Sequence, residues 1–398
     1  MSEQVKIAVI TDGTPISPDV LGTGMCRINT QLFNSLSDNI KIIATTNLGG
    51  IYNINDIDKN LRSRCILIDL PKPIRTTSKV ASRFSELFRS ENIALNLKLS
   101  SLLSGFSNQS IDWLFCPCGV DPSALGRAIY LAQKTNLPLA VYLVDDFIDG
   151  AILSGNKRHL KIARKYFSKW LSQIDKIFVI SEGFQQHLKE NYKVDSVVLP
   201  LPYSSGAILR DSSLTQKDQV LYLGGLSHFY VDGLKHVAQA IHSINQESVR
   251  KISLRIASSA NLSYVKSLLG DYDFIHCEPC KTLEDVRREV ASSVICFAPY
   301  SFDSKYRTMV STSFPSKIMD YLVAGKFILV YGPDYSSSAS YFNCHHLPEV
   351  VTTENVDLLK QIILQQVLYP QDHSKSYINL LASHHSYEVI SKQLLSNL

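Results

Sequence analysis

A chain of 398 residues exceeds what one ordinary hydrophobic core organises and points to about two domains. Its composition, 45% hydrophobic and 19% charged with a mean hydropathy near zero, is that of a globular chain and excludes global disorder. With no apolar leader at the N-terminus and no run of roughly eighteen apolar residues, the expected location is the cytoplasm.

Net charge is +4 and unevenly spread. Residues 1–200 hold 23 Lys and Arg against 18 Asp and Glu, whereas residues 201–398 hold 17 against 18. The basic half points to an anionic partner, either a phosphorylated acceptor or the inner face of a membrane in peripheral contact; an ordinary solvated surface accounts for it equally well. Most of the eight cysteines lie in apolar runs such as CILIDL, WLFCPC and SSVICFAP, where a thiol behaves as a small hydrophobe. The single C-x-x-C, Cys277–Cys280, lacks a second pair at zinc-ribbon spacing, so no metal site is expected.

The chain opens with the apolar run KIAVIT, the loop DGTPISPDVLGTG and an amphipathic helix over about Met25–Leu36. The runs KIIATT, CILIDL, WLFCPC, LAVYLVDD and KIFVIS follow, with helical patterns between most of them. The alternation breaks in LPLPYSSGAILRDSSLTQKDQ, then restarts with VLYLGG, ISLRIAS, DFIHCEP, SSVICFAP, KFILVYG and PEVVT. Short, nearly continuous apolar strands separated by helices predict parallel sheets covered on both faces. The fold class is therefore α/β, with two doubly wound Rossmann-like domains facing each other across a cleft. The first covers residues 1–200, a linker covers 201–218, and the second covers 219–373. Residues 374–398 are helical in pattern and able to pack across either domain. The helix KRHLKIARKYFSKWLSQI, from Lys157 to Ile174, and the segment KPIRTTSKVASRFSELFR carry much of the basic charge. The former suits an anionic lipid surface or, more simply, a surface helix packed on its sheet.

Ligands of open parallel sheets bind beyond the carboxyl ends of the strands, so the loops there are the candidates. In LGTGMCR, Gly22 and Gly24 would let backbone amides approach an oxyanion, or simply form a tight turn; Arg27 stands where a dinucleotide fingerprint has its third glycine. VYLVDDFIDG ends in Asp145 and Asp146. Adjacent residues of an extended strand point oppositely, so one of the two faces the cleft as a candidate acid or base, unless both merely cap a helix. In VLYLGGLSHFYVDG, the turn at Gly224 and Gly225 is able to lie against a diphosphate, with Ser227 or His228 bonding to it. TSFPSKIMDYLVAGKFILVYG is the most informative. A helix is expected to begin at Ser313 or Phe314 with Pro315 in its first turn, aiming unpaired amides and Lys317 at a phosphate. Asp320 would then accept ribose hydroxyls, and Gly325 would end the helix. A solvated lysine is the plain alternative for Lys317.

Taken together, SFPSKIMDYLVAGKFILVYGP and the ordered series VYLVDDF, IFVISEGF, VLPLP and LYLGGL resemble the GT-B glycosyltransferases, nearest the family 4-like group (glycosyl transferases group 1). The resemblance covers nearly the whole chain. It implies that the Thr312–Lys317 segment binds a nucleotide-sugar diphosphate, that Asp320 holds the ribose, and that the Gly22–Gly24 loop approaches the donor from the other domain. It also implies that residues 374–398 cross back to the first domain. Two glutamates common in the family align with Thr312 and Asp320. An arginine common after the first glycine of the second domain aligns with Gly225; Lys317, or Lys305 and Arg307, would replace its charge.

The function implied is sugar transfer from a nucleotide-diphosphate donor to a glycan, lipid-linked or small-molecule acceptor. No cofactor or metal is called for, and the resemblance favours a retaining course. An inverting course would use Asp145 or Asp146 as base. A catalytically silent relative acting as a partner-binding or scaffolding subunit is the alternative, and a nucleotide-sugar epimerase on the same architecture ranks last. Nucleic acid is not an expected partner, since the basic residues lack interleaved aromatic platforms beyond Tyr166, Phe167 and Trp170.

Overall fold

Each apolar run named above forms a strand, and every strand pairs in parallel. The computed structural model describes residues 4–18, 20, 22–48, 52–70, 110–119, 123–153, 155, 157–204 and 216–398. The basic segment over 72–89 lies outside them.

The first sheet contains β1 (Ile7–Thr11), β2 (Ile40–Leu48), β3 (Cys65–Leu70), β4 (Trp113–Cys118), β5 (Leu139–Leu143), β6 (Lys176–Val179) and β7 (Val197–Val198). Their spatial order is β3-β2-β1-β4-β5-β6-β7. The second contains β8 (Lys217–Leu223), β9 (Ser253–Ala257), β10 (Ile275–Cys277), β11 (Ser293–Pro299), β12 (Ile328–Tyr331) and β13 (Val350–Val351), in the order β10-β9-β8-β11-β12-β13. β8 begins inside the linker expected over 201–218. Every residue of β1, β5, β11 and β12 is buried, because helices cover both faces of each sheet. In both sheets the order reverses beside the first strand, at β1/β4 and β8/β11, and successive crossovers diverge to opposite faces there. A crevice opens at each such point, and the two crevices face one another.

The two domains meet through the short helix Arg307–Thr312, which belongs to the second domain but docks on the first. Asp149 Oδ2 accepts the Met309 N–H at 2.9 Å, Ser181 Oγ donates to the Thr312 carbonyl at 2.6 Å, and Ser313 Oγ donates to Asp145 Oδ1 at 2.5 Å. The approach is so close that a Cβ on Gly183 would stand 2.0 Å from the Ser311 carbonyl oxygen.

A second tie is the C-terminal segment. Helix Ser374–Leu380 packs on helix Lys317–Val323, a π-turn follows over Leu381–His385, and helix Tyr387–Leu395 lies on helix Gly24–Ser35 of the first domain. Gln393 Nε2 donates to the Val198 carbonyl at 2.6 Å, and Tyr387 Oη donates to Gln31. One apolar cluster accordingly runs from the first sheet through the domain contact to one face of the second sheet. The other face of that sheet has its own core beneath helices His228–Glu247 and Val356–Leu368.

In the basic helix Lys157–Leu171, Ala163, Phe167 and Leu171 are buried, while Lys161, Arg164, Lys165 and Lys169 are exposed. The apolar stripe that a lipid surface would need is thus largely covered by the first domain itself. Among the described residues, no helix is long and apolar enough to cross a membrane.

Two tests follow from these contacts. Gly183→Ala forces the docked backbone outward and is expected to cost about 1–3 kcal/mol, read by denaturant unfolding together with an increased radius of gyration. His385, 1% exposed, bonds through Nδ1 to the Leu201 carbonyl at 2.7 Å and through Nε2 to the Tyr341 hydroxyl at 2.5 Å. Burial pushes its imidazole from 6.5 down to about 4. Between those values the unfolded chain binds a proton that the folded chain refuses, so stability falls as pH drops through this window, by up to about 3 kcal/mol. Unfolding curves across the window should show a smaller loss for His385→Gln; an equal loss would remove His385 as the cause.

Candidate active site

The loops after β1, β8 and β11 converge at the start of helix Lys317–Val323. That helix begins later than the sequence predicts, with Ser316 at the N-cap and without a side-chain cap. The reason lies upstream. Ser313 ends the docked helix Arg307–Thr312 in extended conformation, its N–H bonded to the Met309 carbonyl and its own carbonyl accepting from Tyr300 Oη and Ser337 Oγ. Phe314 packs edge-on to Tyr341 at 5.1 Å, and Pro315 is buried. The Thr312 side chain is fully buried and its hydroxyl donates back to the Thr308 carbonyl. Thr312 and Ser313, expected among the donor-binding residues, are engaged in the domain contact. At its other end the helix stops as predicted. Gly325, at φ +65°, closes it with paired bonds from Gly325 N–H to Leu322 and from Lys326 N–H to Tyr321.

Lys317 carries the site's most unusual charge. Its Nζ lies 3.8 Å from the ring centroid of Tyr222 and 4.2 Å from that of Tyr230. No carboxylate among the described residues pairs with it, and burial pushes its ammonium well below the ordinary lysine range. The two π faces offset part of that cost, at roughly 0.5–2 kcal/mol each. The ammonium abuts the turn after β8, since a Cβ on Gly224 would stand 3.7 Å from Nζ. Gly224 has φ +116°, a conformation that side chains resist, and Tyr222 Oη donates to the Gly225 carbonyl at 2.6 Å. The same ring thus holds both the cation and the turn. Gly225 faces open space, and Ser227, exposed at the N-cap of helix His228–Glu247, makes no cap bond.

From the first domain, Gly24 comes within 3.8 Å of Ser316 Oγ, measured from the Cβ position that it lacks. A side chain at Gly22 would have to push aside the end of Ile16, since its Cβ would stand 2.2 Å from Ile16 Cδ1. One turn further along the same helix, Arg27 Nη2 bonds to Asp320 Oδ1 across the cleft at 2.5 Å. Asp320 raises the Arg27 pKa, while Asp320 Oδ2 has no hydrogen-bond partner among the described residues. Arg27 was legible only as a glycine out of place. It is also a cation in the first turns of a helix, where backbone amides already make the potential positive, as is Lys317.

The two aspartates point to different partners, although both lie past the end of β5 in the turn that enters helix Phe147–Leu153. Asp145 points to the second domain and Ser313; burial raises its pKa, and the Ser313 bond opposes the shift. Asp146, 2% exposed, accepts the Asp149 N–H at 2.8 Å and faces His187 Nε2 at 3.3 Å. It caps helix Phe147–Leu153, as one of the two sequence readings allowed. Lys305 pairs with Asp303 at 2.5 Å, and Arg307 stacks 3.9 Å over Tyr335, so both are engaged elsewhere. Among the described residues no group of three or more His, Cys, Asp or Glu is placed to hold a metal ion.

No protein-family model and no curated protein matches the sequence. Solved structures do match. A UDP-forming α,α-trehalose-phosphate synthase from Burkholderia vietnamiensis shares 11% identity over 98% of this chain and 99% of its own, with a TM-score of 0.62. AviGT4, a glycosyltransferase involved in avilamycin A biosynthesis, shares 11% over 98% and 96%, at 0.57. A protein from Listeria monocytogenes described as a UDP-N-acetylglucosamine 2-epimerase shares 14% over 98% and 95%, at 0.54. The chain has the GT-B fold. Identities this low establish the shared fold alone.

In this GT-B cleft the Lys317 ammonium, the Gly224–Gly225 turn and the Gly24 loop surround one point, with the Arg27–Asp320 pair beside it. The amides of Ser316 and Lys317 find no protein acceptor among the described residues. Helix Lys317–Val323 has only 7 residues, so the ammonium rather than a long helix dipole supplies most of the positive potential. An anion bound there would return the Lys317 pKa toward its ordinary range. Binding therefore takes up a proton between the depressed and ordinary values, and affinity falls as pH rises through that interval. Calorimetry with pyrophosphate in buffers of different ionisation heat should detect the uptake in the parent protein and not in Lys317→Met. The same variant is expected to melt higher, because it removes a half-buried ammonium that no carboxylate among the described residues pairs with.

Proposed function

We propose that this protein is a glycosyltransferase that moves a sugar from a nucleotide-diphosphate donor to an acceptor held by the first domain. The observation that carries this reading is an ammonium without a carboxylate partner, Lys317, set between two tyrosine rings where both domains converge. Donor diphosphate would bind to Lys317 and to the Ser316 and Lys317 amides, closed over by the Gly24 loop. Asp320, whose Oδ2 is enclosed and lacks a partner among the described residues, would accept a ribose hydroxyl once the donor displaces its neighbours. As the diphosphate leaves, negative charge grows on its bridging oxygen, and a fixed cation with fixed amides stabilises that charge without reorganising.

A retaining course is the one the family resemblance favours. Asp145 accepts from Ser313 on one oxygen, and Asp146 accepts the Asp149 N–H on one oxygen and faces His187 with the other; an inverting course would use one of the two as base. The acceptor's own class, glycan, lipid-linked or small molecule, follows from the first-domain side of the cleft. No metal enters this scheme, so turnover is expected to survive EDTA.

Incubation with a panel of nucleotide sugars, following binding, hydrolysis and transfer, tests the reading. Lys317→Ala is expected to lower turnover on the order of 10²–10³-fold, as for loss of one oxyanion donor. Asp320→Asn is expected to weaken donor binding more than turnover. Absence of binding at millimolar nucleotide sugar would sink the donor site. Tight binding without any turnover would favour the partner-binding subunit instead.

A further inference from the structure

Arg27 and Asp320 border one cavity of 150 Å³ in the cleft, and each comes from a different domain. Their bond runs from Arg27 Nη2 to Asp320 Oδ1 at 2.5 Å and leaves the arginine side chain 36% exposed, the aspartate 19%. The other carboxylate oxygen, Oδ2, is enclosed and has no partner among the described residues. Neither oxygen of Asp320 is thus open to a ribose hydroxyl, one being held by Arg27 and the other shut in. The guanidinium, by contrast, keeps a margin on the cavity. Its helix begins at Gly24, whose missing Cβ would stand 3.8 Å from Ser316 Oγ. Asp320 lies about 6 Å along the helix axis from Ser316, at 1.5 Å rise per residue. The root of the Arg27 side chain is therefore near the phosphate point, and its tip is one helical turn beyond it.

We propose that Arg27 is a phosphate ligand held in reserve by this ion pair: as a donor binds, the guanidinium passes from Asp320 to the diphosphate and Asp320 turns to the ribose. The proposal rests on the donor site described above and adds to it a first-domain residue with two alternative partners. Each phosphate of a nucleotide-sugar diphosphate is an anion, whereas Lys317 is a single cation and the turn at Gly224–Gly225 brings none. A guanidinium pairs with carboxylate and phosphate alike, so the exchange replaces one charge-assisted bond by another. The same movement uncovers the carboxylate that the ribose needs. Diphosphate capture by the first domain and ribose capture by the second are then one event.

Calorimetric titration with pyrophosphate, which has phosphates but no ribose, isolates the arginine's part. The full chain is compared with Asp320→Asn, Arg27→Met and the double variant at one ionic strength. Asp320→Asn releases the guanidinium and is expected to bind pyrophosphate about tenfold tighter than the parent, roughly the worth of one charge-assisted bond. Adding Arg27→Met to Asp320→Asn is expected to lose that tenfold. In the parent background Arg27→Met should cost less than about threefold, because the arginine there gives up one partner to gain the other. Arg27→Gln, a second uncharged variant, should reproduce the pattern. A loss in the parent background equal to or larger than that in Asp320→Asn would mean that Arg27 stays on Asp320 and merely screens it. That result, or no effect of Arg27 in either background, would overturn the exchange while leaving the donor site standing. Failure of pyrophosphate to bind both the parent and Asp320→Asn would remove both.

Discussion

The docking of helix Arg307–Thr312 onto the first domain is the constraint on which the site depends. Its bonds are made largely to backbone groups: the Met309 N–H, the Thr312 carbonyl and, at van der Waals distance, the Ser311 carbonyl over Gly183. Backbone groups have no rotamers to spare, so these contacts fix relative domain position more tightly than paired surface side chains would. The segment that follows, Phe314–Lys317, leaves this anchor with little slack. Gly24 meets Ser316 and Arg27 reaches Asp320 because the two domains are already held in one register. The C-terminal crossing, with His385 buried between the linker and Tyr341, holds the same register from the opposite side.

Within that frame the charges are arranged at the expense of stability. Asp320 is satisfied on one oxygen only, and Lys317 is desolvated among phenol rings that attract a cation without neutralising it. A charge drawn partly out of water without full pairing costs stability. Packing alone would favour a methionine at 317. A lysine there is intelligible if an anion completes it, and the diphosphate of a sugar donor has the right sign, size and neighbours. Apolar burial elsewhere, continuous from the first sheet through the domain contact, tolerates the local cost.

How far the sequence could be read depended on the range of the interactions involved. All twelve strand runs were legible because each is a short, buried parallel strand whose apolar character is local; the two-residue β7 was absorbed into VLPLP. Gly325 was legible because a helix stop is a local conformational requirement. The start of the same helix was not. Ser313 and Pro315 carry good local signals for a first turn, but Ser313 is drawn into the end of the preceding helix by Asp145, more than 160 residues away. The Asp145–Asp146 pair shows both outcomes. The two carboxylates do part, but in a turn beyond β5 and not through strand alternation; capping was one of the readings open for them, and nothing local revealed that Asp146 would also face His187, nor that Asp145 would be occupied by a serine from the other domain. Arg27 was missed for a like reason: its partner is in place only once the domains are docked.

The departures from the family pattern become coherent in three dimensions. The resemblance expects a glutamate at position 312 and a cation rising from the turn at Gly225. At 312 the chain has a threonine whose carbonyl and hydroxyl are both used by the domain contact, so this position now serves rigidity. At Gly225 the cation is gone, but Lys317 reaches from the facing helix to the same turn, within contact of the space over Gly224. A positive charge thus stands beside this turn although none rises from it, held there by an aromatic pair, Tyr222 and Tyr230. Position and charge can persist where residue type at an aligned column does not.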